Sequence, residues 1–186
     1  MSGISAEQVK ALLATPEPPE LGPGPRKGVQ SRQAVDVAIG TALSGAQLTG
    51  ETRELLRALV LLWHDHLDEA HRIAQEVDSA DGSLVHAVMH RREPDYWNSK
   101  YWFRRVGKHP CFGNLASRVA SLLKARGEPA LLDKLIPQGK WDPFAFVDAC
   151  EAAAHGGSSK QQSLLREIQQ IEFEVLLAHF VGSEAR

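Results

Sequence analysis

Side chains that could form a functional site are concentrated in residues 63–110, WHDHLDEAHRIAQEVDSADGSLVHAVMHRREPDYWNSKYWFRRVGKHP. Six of the eight histidines and three of the four tryptophans of the chain fall within this segment. Imidazole, indole and phenol groups can bind metals, stack on ligands and donate hydrogen bonds. We therefore expect any functional site of this protein to lie here.

The spacing of the histidines suits a metal ion. His64, Asp68 and His71 stand at i, i+4 and i+7, and His86 and His90 at i and i+4, so each set shares a helix face. Neutral imidazole and carboxylate groups are ligands of divalent metals. The chain has no HExxH or CxxC motif, and HAVMH lacks the glutamate of a zinc protease. One hypothesis is therefore a metal-binding protein or metal-dependent enzyme that uses these five residues, with histidines that only hydrogen-bond between helices as the alternative.

Helical phasing argues against a single site. If residues 49–77 form one helix, its histidine stripe lies about 110–170° from the apolar face at 100° per residue. His86 and His90 lie about 130–170° from the apolar face of the next helix. We therefore expect the two stripes to point apart in a simple hairpin. His66 falls on the apolar stripe, where we expect a buried, neutral imidazole bonded to a neighbour.

A basic and aromatic segment follows the histidines. Residues 91–108 hold six basic and two acidic residues, interleaved with five aromatic ones. Arginine beside aromatic rings can hold an anion or a partner segment. The face that we expect to bind consists of Trp97, Tyr101, Arg104 and Arg105, with His86 and His90 at its edge. Residues 64–81 carry six acidic residues and one arginine, so internal ion pairs between the two segments are the alternative.

These patterns favour a helical binding or scaffold module over an enzyme. Its expected ligand is a protein segment or a small anion; the net charge of −2 does not favour nucleic acid. A polar core with no ligand is a third interpretation. Cys111 follows His109 closely, but neither an oxyanion hole nor an orienting residue is evident, so a nucleophilic cysteine is not favoured. Cys150 is expected to be a packing residue.

Composition places the chain among ordinary globular proteins. A length of 186 residues allows one well-buried core. Only two cysteines are present, which predicts a reducing, cytoplasmic compartment. The N-terminus does not resemble a signal peptide, and no apolar run approaches the ~18 residues that span a bilayer.

The hydrophobic periodicity predicts an all-α fold of stacked antiparallel helix hairpins. We expect helices near 5–14, 32–44, 49–77, 83–93, 95–106, 114–127, 142–155 and 160–181, with Ser5, Thr49, Asp95, Asn114 and Asp142 as N-caps. Five prolines in residues 16–28 predict an extended tether. The expected division is therefore a short helix with a proline-rich tether in residues 1–29 and one all-α domain in residues 30–186.

Residues 87–110 resemble a single tetratricopeptide or Sel1-like unit. Ala87 and Ser99 occupy its small positions, Phe103 its bulky position and Val106 its small apolar one, while Pro110 comes one residue early. This likeness implies helix hairpins stacked in layers, and it implies nothing about catalysis. The segment is also similar to a family of bacterial and fungal proteins that share the patterns WHDHLDEAH, HAVMHRRE and YWFRRVG, which implies no particular activity.

Overall fold

The computed structural model describes residues 6–182, apart from the side chains of Ala6 and Val9. Within that range the chain forms ten α-helices, a short 3₁₀ turn at 137–139 and no strand, which confirms the predicted all-α class. The helices are α1 Ala6–Leu12, α2 Arg32–Ala42, α3 Gly50–Trp63, α4 Leu67–Ala74, α5 Ala80–Arg92, α6 Tyr96–Val106, α7 Phe112–Arg126, α8 Pro129–Leu135, α9 Pro143–Ala154 and α10 Ser159–Phe180.

Side-chain caps fix the starts of three helices as the sequence predicts. The side chains of Thr49, Asp95 and Asp142 accept backbone N–H groups in the first turns of α3, α6 and α9. Asn114 does not cap α7, since that helix already begins at Phe112 and includes Asn114 in its first turn. Ser5, the expected cap of the first helix, lies outside the described residues.

The predicted helix over 49–77 is in fact two helices. α3 ends at Trp63 and α4 begins at Leu67, because Asp65 adopts the left-handed conformation with φ +65°. A non-glycine residue in that conformation costs free energy, so the surroundings must hold it there. The apolar spacing of three and four runs on through the break, which is why periodicity alone predicts one long helix.

A buried ion network holds the break between α3 and α4. The carboxylate of Asp65, 1% exposed, accepts the backbone N–H of Arg26 at 2.8 Å and the Arg26 guanidinium at 2.6 Å. The fully buried guanidinium of Arg92 donates to the same carboxylate at 2.7 Å. Its remaining N–H groups donate to backbone carbonyls, those of Glu20, Gly22 and Leu62. Three chain segments are thus joined at one acidic side chain.

The proline-rich segment packs on the helices. Leu12, Leu13 and Leu21 are buried in the common core. The side chain of Gln169 on α10 donates to the carbonyls of Pro19 and Glu20 at 3.1 and 3.0 Å. Residues 12–26 therefore form an extended strap over α3, α5 and α10. The division of the chain at residue 30 stays a prediction.

Helix α5 is the central element of the fold. Nearly all its side chains are buried, and α6 packs along it more extensively than any other helix pair contacts. Arg91 is fully buried, pairs with Glu172 on α10 and lies over the ring of Phe146 at 4.4 Å. Two of the six basic residues of the segment 91–108 are thus interior and cannot bind an external ligand. Among residues 6–182 no helix is both long and apolar enough to cross a bilayer.

Replacing Asp65 with asparagine tests the ion network. Asparagine tolerates the left-handed conformation, so the change mainly removes the charge. Two buried guanidinium groups would lose their partner, and we expect a loss of about 3–5 kcal/mol in the free energy of unfolding. Urea denaturation followed by circular dichroism measures it.

The matched control is Asp78→Asn, which removes an exposed carboxylate paired with Arg105 at 2.7 Å. Such exposed pairs contribute about 0–1 kcal/mol. Equal losses in the two variants would contradict a stabilising role for the Asp65 network.

Candidate metal centre

Three histidines from two helices converge beside α5. His71 comes from α4, and His86 and His90 come from successive turns of α5. The ring centroid of His71 lies 4.8 Å from that of His86 and 5.1 Å from that of His90, and the two α5 rings are 4.8 Å apart. One ring nitrogen of each histidine lies within 4.8 Å of the others. We call these three residues the His cluster.

The break at Asp65 explains why His71 reaches this position. Since α4 changes direction after α3 and packs on α5, the phase of the long helix does not carry over to His71. The expectation that the two histidine stripes point apart is therefore wrong for His71.

The two remaining metal candidates lie elsewhere. His64 is buried at the end of α3, where its Nε2–H donates to the carbonyl of Leu12 at 3.1 Å and its Nδ1 accepts the N–H of Gln30 at 3.2 Å. Burial lowers the pKa of His64, so this imidazole is neutral and fully bonded. Asp68 is exposed on α4 and is not part of the His cluster.

His66, expected to be buried, is half-buried. Its Nε2–H donates to the carbonyl of Gln30 at 2.8 Å, so the imidazole is bonded to a neighbour as expected.

His86 is the most unusual side chain of the cluster. It is 2% exposed, and neither ring nitrogen has a hydrogen-bond partner among the described residues. The indole of Trp102 stacks on the ring at 3.9 Å. Burial, reinforced by His90 and His71, lowers the pKa of His86 to about 3. A neutral imidazole with both nitrogens buried and unpartnered costs about 1–3 kcal/mol, which a bound ligand would offset.

His90 is oriented by polar neighbours. Its Nδ1–H donates to the carboxylate of Glu93 at 3.0 Å, which leaves the Nε2 lone pair to accept the amide of Asn98 at 3.1 Å. Burial lowers the pKa of His90, while Glu93 opposes that shift. A carboxylate on the far nitrogen of a histidine is the usual arrangement behind a metal ligand. Coordination through Nε2 requires only that the Asn98 amide move aside.

The donor set of the His cluster fits a transition metal. Three neutral imidazoles suit zinc, copper, nickel or iron, with Zn–N distances of about 2.0–2.1 Å. In the structure, one ring nitrogen of each of the three histidines lies within 4.8 Å of the others. His71 is half-buried whereas His86 and His90 are buried, so the cluster is most open at His71.

The basic and aromatic face is only partly available to a ligand. Trp97 is 74% exposed and stacks on Tyr101, 39% exposed, with ring centroids 6.4 Å apart. Arg105 is occupied by Asp78 at 2.7 Å and lies 5.3 Å over the ring of Trp102. Arg104 is exposed and makes no ion pair within the described part of the chain. Lys100 pairs with Asp148 and Glu151 on α9 instead of the acidic segment 64–81.

A second titratable cluster lies at the N-terminal end of α5. The Oδ1 atom of Asp81 accepts Nε2–H groups from His109 at 2.8 Å and from His179 at 2.9 Å. The Nδ1 atom of His109 lies 2.9 Å from the thiol sulfur of Cys111. Hydrogen bonds from His109 and His179 hold the pKa of Asp81 far below its usual range. The sequence pattern indicates His109 and Cys111 but not Asp81 or His179, which lie 98 residues apart and share no local pattern.

No family model, curated protein or solved structure matches this chain. The resemblances to a tetratricopeptide unit and to the family with the WHDHLDEAH pattern stay predictions.

The low pKa of His86 predicts a loss of stability in acid. In the unfolded chain a histidine titrates near pH 6.5, whereas in the folded protein His86 stays neutral to about pH 3. Between these values the unfolded state binds the additional proton, so the free energy of unfolding falls as the pH falls from about 6.5 towards 3. We expect His86→Phe, which cannot titrate, to flatten part of this dependence in urea denaturation at several pH values.

The control is His155→Phe. His155 is exposed and bonds only to the carbonyl of Glu151 in its own helix. An unchanged pH dependence in His86→Phe, equal to that of His155→Phe, would contradict the neutral state of His86 in acid.

Proposed function

We propose that the protein binds a divalent transition metal, with zinc as the reference ion, through His71, His86 and His90. The observation that carries this proposal is the pair of buried, unpartnered nitrogens of His86 at the centre of three converging imidazoles. Buried polar groups are nearly always hydrogen-bonded, so an imidazole without a partner points to a ligand that supplies one.

The neutral state of the imidazoles supports the same proposal. Metal ligands must offer a lone pair, and protonated imidazole has none. Because burial keeps His86 and His90 neutral at physiological pH, no proton has to be released from either before a metal binds. The donor nitrogens of both residues lie on one helix at i and i+4, which limits the freedom that coordination must remove.

The proposed centre has three protein ligands and one open position. Three-histidine zinc sites of this kind bind water or a substrate atom at the fourth position and lower the pKa of the bound water to about 7. Trp102 covers His86 from one side, so exchange would occur beside His71. Metal binding is the proposed function, and a hydrolytic or hydration reaction at the fourth position would be a separate property of the loaded protein.

Zinc binding by the untagged full chain tests the proposal. We expect one equivalent of zinc by isothermal titration calorimetry and a rise in melting temperature with added zinc. His86→Ala should lower zinc affinity by at least ~100-fold, because a ligand is lost. Asn98→Ala should bind zinc at least as well as the wild type, since the amide no longer occupies His90 Nε2.

His64→Gln is the matched control, because His64 is equally buried but lies outside the cluster. It should still bind one equivalent of zinc. No binding of zinc, copper, nickel or iron to the folded wild type would refute the proposal. Large stability losses in the His86 and His90 variants, without metal binding, would support the purely structural interpretation.

We propose the exposed aromatic face as a second candidate function, a binding surface for a small anion or a protein segment. Its supporting observation is the exposed stack of Trp97 on Tyr101 beside the unpaired Arg104. The part that remains available is smaller than the sequence pattern indicates, because Arg105 is paired and His86 and His90 are buried.

A fluorescence titration with inorganic pyrophosphate tests the anion hypothesis. We expect a change in Trp97 emission that disappears in Trp97→Phe, and an affinity at least ~10-fold weaker in Arg104→Ala, about the 1.4 kcal/mol of one charge-assisted hydrogen bond. Arg126→Ala is the control, since Arg126 is an exposed arginine on α7 paired with Glu167. Equal affinities of the wild type and Arg104→Ala would exclude this face as the anion site.

We also propose a cytoplasmic location. The chain has only two cysteines, far too few for a disulfide framework, as expected of a protein from a reducing compartment.

A further inference from the structure

The cluster around Asp81 has a different chemistry from the His cluster. Its three side chains, Asp81, His109 and His179, could also be considered for a metal, since their ligand atoms lie within 4.8 Å of one another. Whether these side chains bind a metal or only hydrogen-bond to one another depends on which ring nitrogen of His109 carries the proton.

The tautomer of His109 is fixed from both sides. The backbone N–H of Cys111 donates to Nδ1 at 3.4 Å, so Nδ1 carries a lone pair. The proton is therefore on Nε2, where it is donated to the ionised Asp81 at 2.8 Å. A metal at Nε2 would have to displace this proton, which could then bind only at Nδ1, the atom towards which the backbone N–H of Cys111 points. The arrangement instead directs the Nδ1 lone pair at the thiol of Cys111, 2.9 Å away.

Activated nucleophiles consist of a nucleophile, a base in contact with it and a carboxylate that orients the base. The thiol of Cys111, the imidazole of His109 and the carboxylate of Asp81 are arranged in this order. We propose that Cys111 is a peroxide-reactive thiol that His109 deprotonates and Asp81 positions. This site is independent of the proposed metal centre, with which it shares no residue.

Burial determines the class of reagent. Cys111 is 0% exposed, and the side chain of His109 is 2% exposed. Asp81 and His179 form the open side of the cluster, with side chains 36% and 24% exposed. Because the sulfur is buried, a large electrophile or a peptide cannot reach it, whereas hydrogen peroxide is small and uncharged. We therefore assign hydrogen peroxide, or another small hydroperoxide, as the co-reactant.

The proposed step is a two-electron oxidation of the thiol. The Sγ–H proton moves to Nδ1 of His109, and the sulfur attacks one oxygen of hydrogen peroxide. An S–O bond forms as the O–O bond breaks, and the departing hydroxide takes the proton from Nδ1 and becomes water. The sulfur is oxidised to a sulfenic acid and the peroxide is reduced, with no other reactant. A thiol reductant restores Cys111. Its place just before the first turn of α7 further stabilises the thiolate.

The chain contains its own comparison thiol. Cys150 on α9 is equally buried, but burial raises its pKa to about 12, and among the described residues no histidine hydrogen-bonds to it. Burial is thus matched, and the comparison tests the effect of the surroundings of Cys111, of which the contacting base is the main part.

Single-cysteine forms of the full chain test the proposal. Cys150→Ala leaves Cys111, and Cys111→Ala leaves Cys150. Each protein is treated with hydrogen peroxide in the presence of dimedone, and the sulfenic acid adduct is followed by intact-mass spectrometry. General-base assistance contributes about 10²–10⁴-fold, so we expect the Cys111 protein to react at least ~10-fold faster than the Cys150 protein.

Variants in the Cys150→Ala background separate the roles. His109→Gln should slow adduct formation by at least ~10-fold, within the range expected for a lost general base. Asp81→Asn should slow it and move its pH profile, because the orienting carboxylate is gone. Asp78→Asn, the exposed neighbour paired with Arg105, should leave the rate unchanged.

Three results would overturn the proposal. The first is equal peroxide reactivity of the two single-cysteine proteins, a comparison that does not depend on the His109 or Asp81 variants folding. The second is an unchanged rate in folded His109→Gln. The third is one equivalent of zinc bound by His86→Ala and lost on adding Asp81→Asn, which would make the cluster a metal site. A failure of zinc binding at His71, His86 and His90 leaves the expected thiol reactivity as it is.

Discussion

The buried carboxylate of Asp65 is the constraint on which the arrangement of the helices depends. It holds a non-glycine residue in the left-handed conformation, and this turns α4 away from the axis of α3. The two guanidinium groups that it binds join the proline-rich strap and α5 to the same point. Isolated buried charges are very costly, so the three groups are stable only together. His71 meets the histidines of α5 because this turn exists.

Local sequence patterns predict the helices, whereas ion pairs between distant residues determine the break between α3 and α4 and the position of His71. Apolar periodicity gives the all-α class, and the caps at Thr49, Asp95 and Asp142 give the starts of α3, α6 and α9. Periodicity cannot show the break at Asp65, because that break depends on Arg26 and Arg92, which are distant in sequence. The histidine spacings drew attention to His71, His86 and His90, whose rings lie close together, but phasing through the break placed His71 on the wrong side.

Long-range contacts also explain why the sequence pattern does not reveal Asp81 and His179 in the cluster around Asp81. The short interval between His109 and Cys111 is visible in the sequence, whereas Asp81 and His179 become their neighbours only when α5 and α10 pack. The two clusters, both rich in histidine, differ in their hydrogen bonds. In the cluster around Asp81, both ring nitrogens of His109 have partners, whereas in the His cluster neither ring nitrogen of His86 has one among the described residues. The first arrangement is the one proposed for proton transfer, and the second is the one proposed for coordination of a metal.

The strap has a consequence for how the chain folds during synthesis. Its carbonyls at Pro19 and Glu20 receive Gln169 of α10, about 150 residues later in the chain. Arg91 likewise pairs with Glu172, which lies 81 residues further along the chain. The contacts of the strap with Gln169 form only after α10 has been made, because loop closure over such distances must precede them. Until then Arg91 lacks its carboxylate partner, whereas Arg26 and Arg92 already have Asp65, so the part of the polar core between the strap, α5 and α10 closes late in folding.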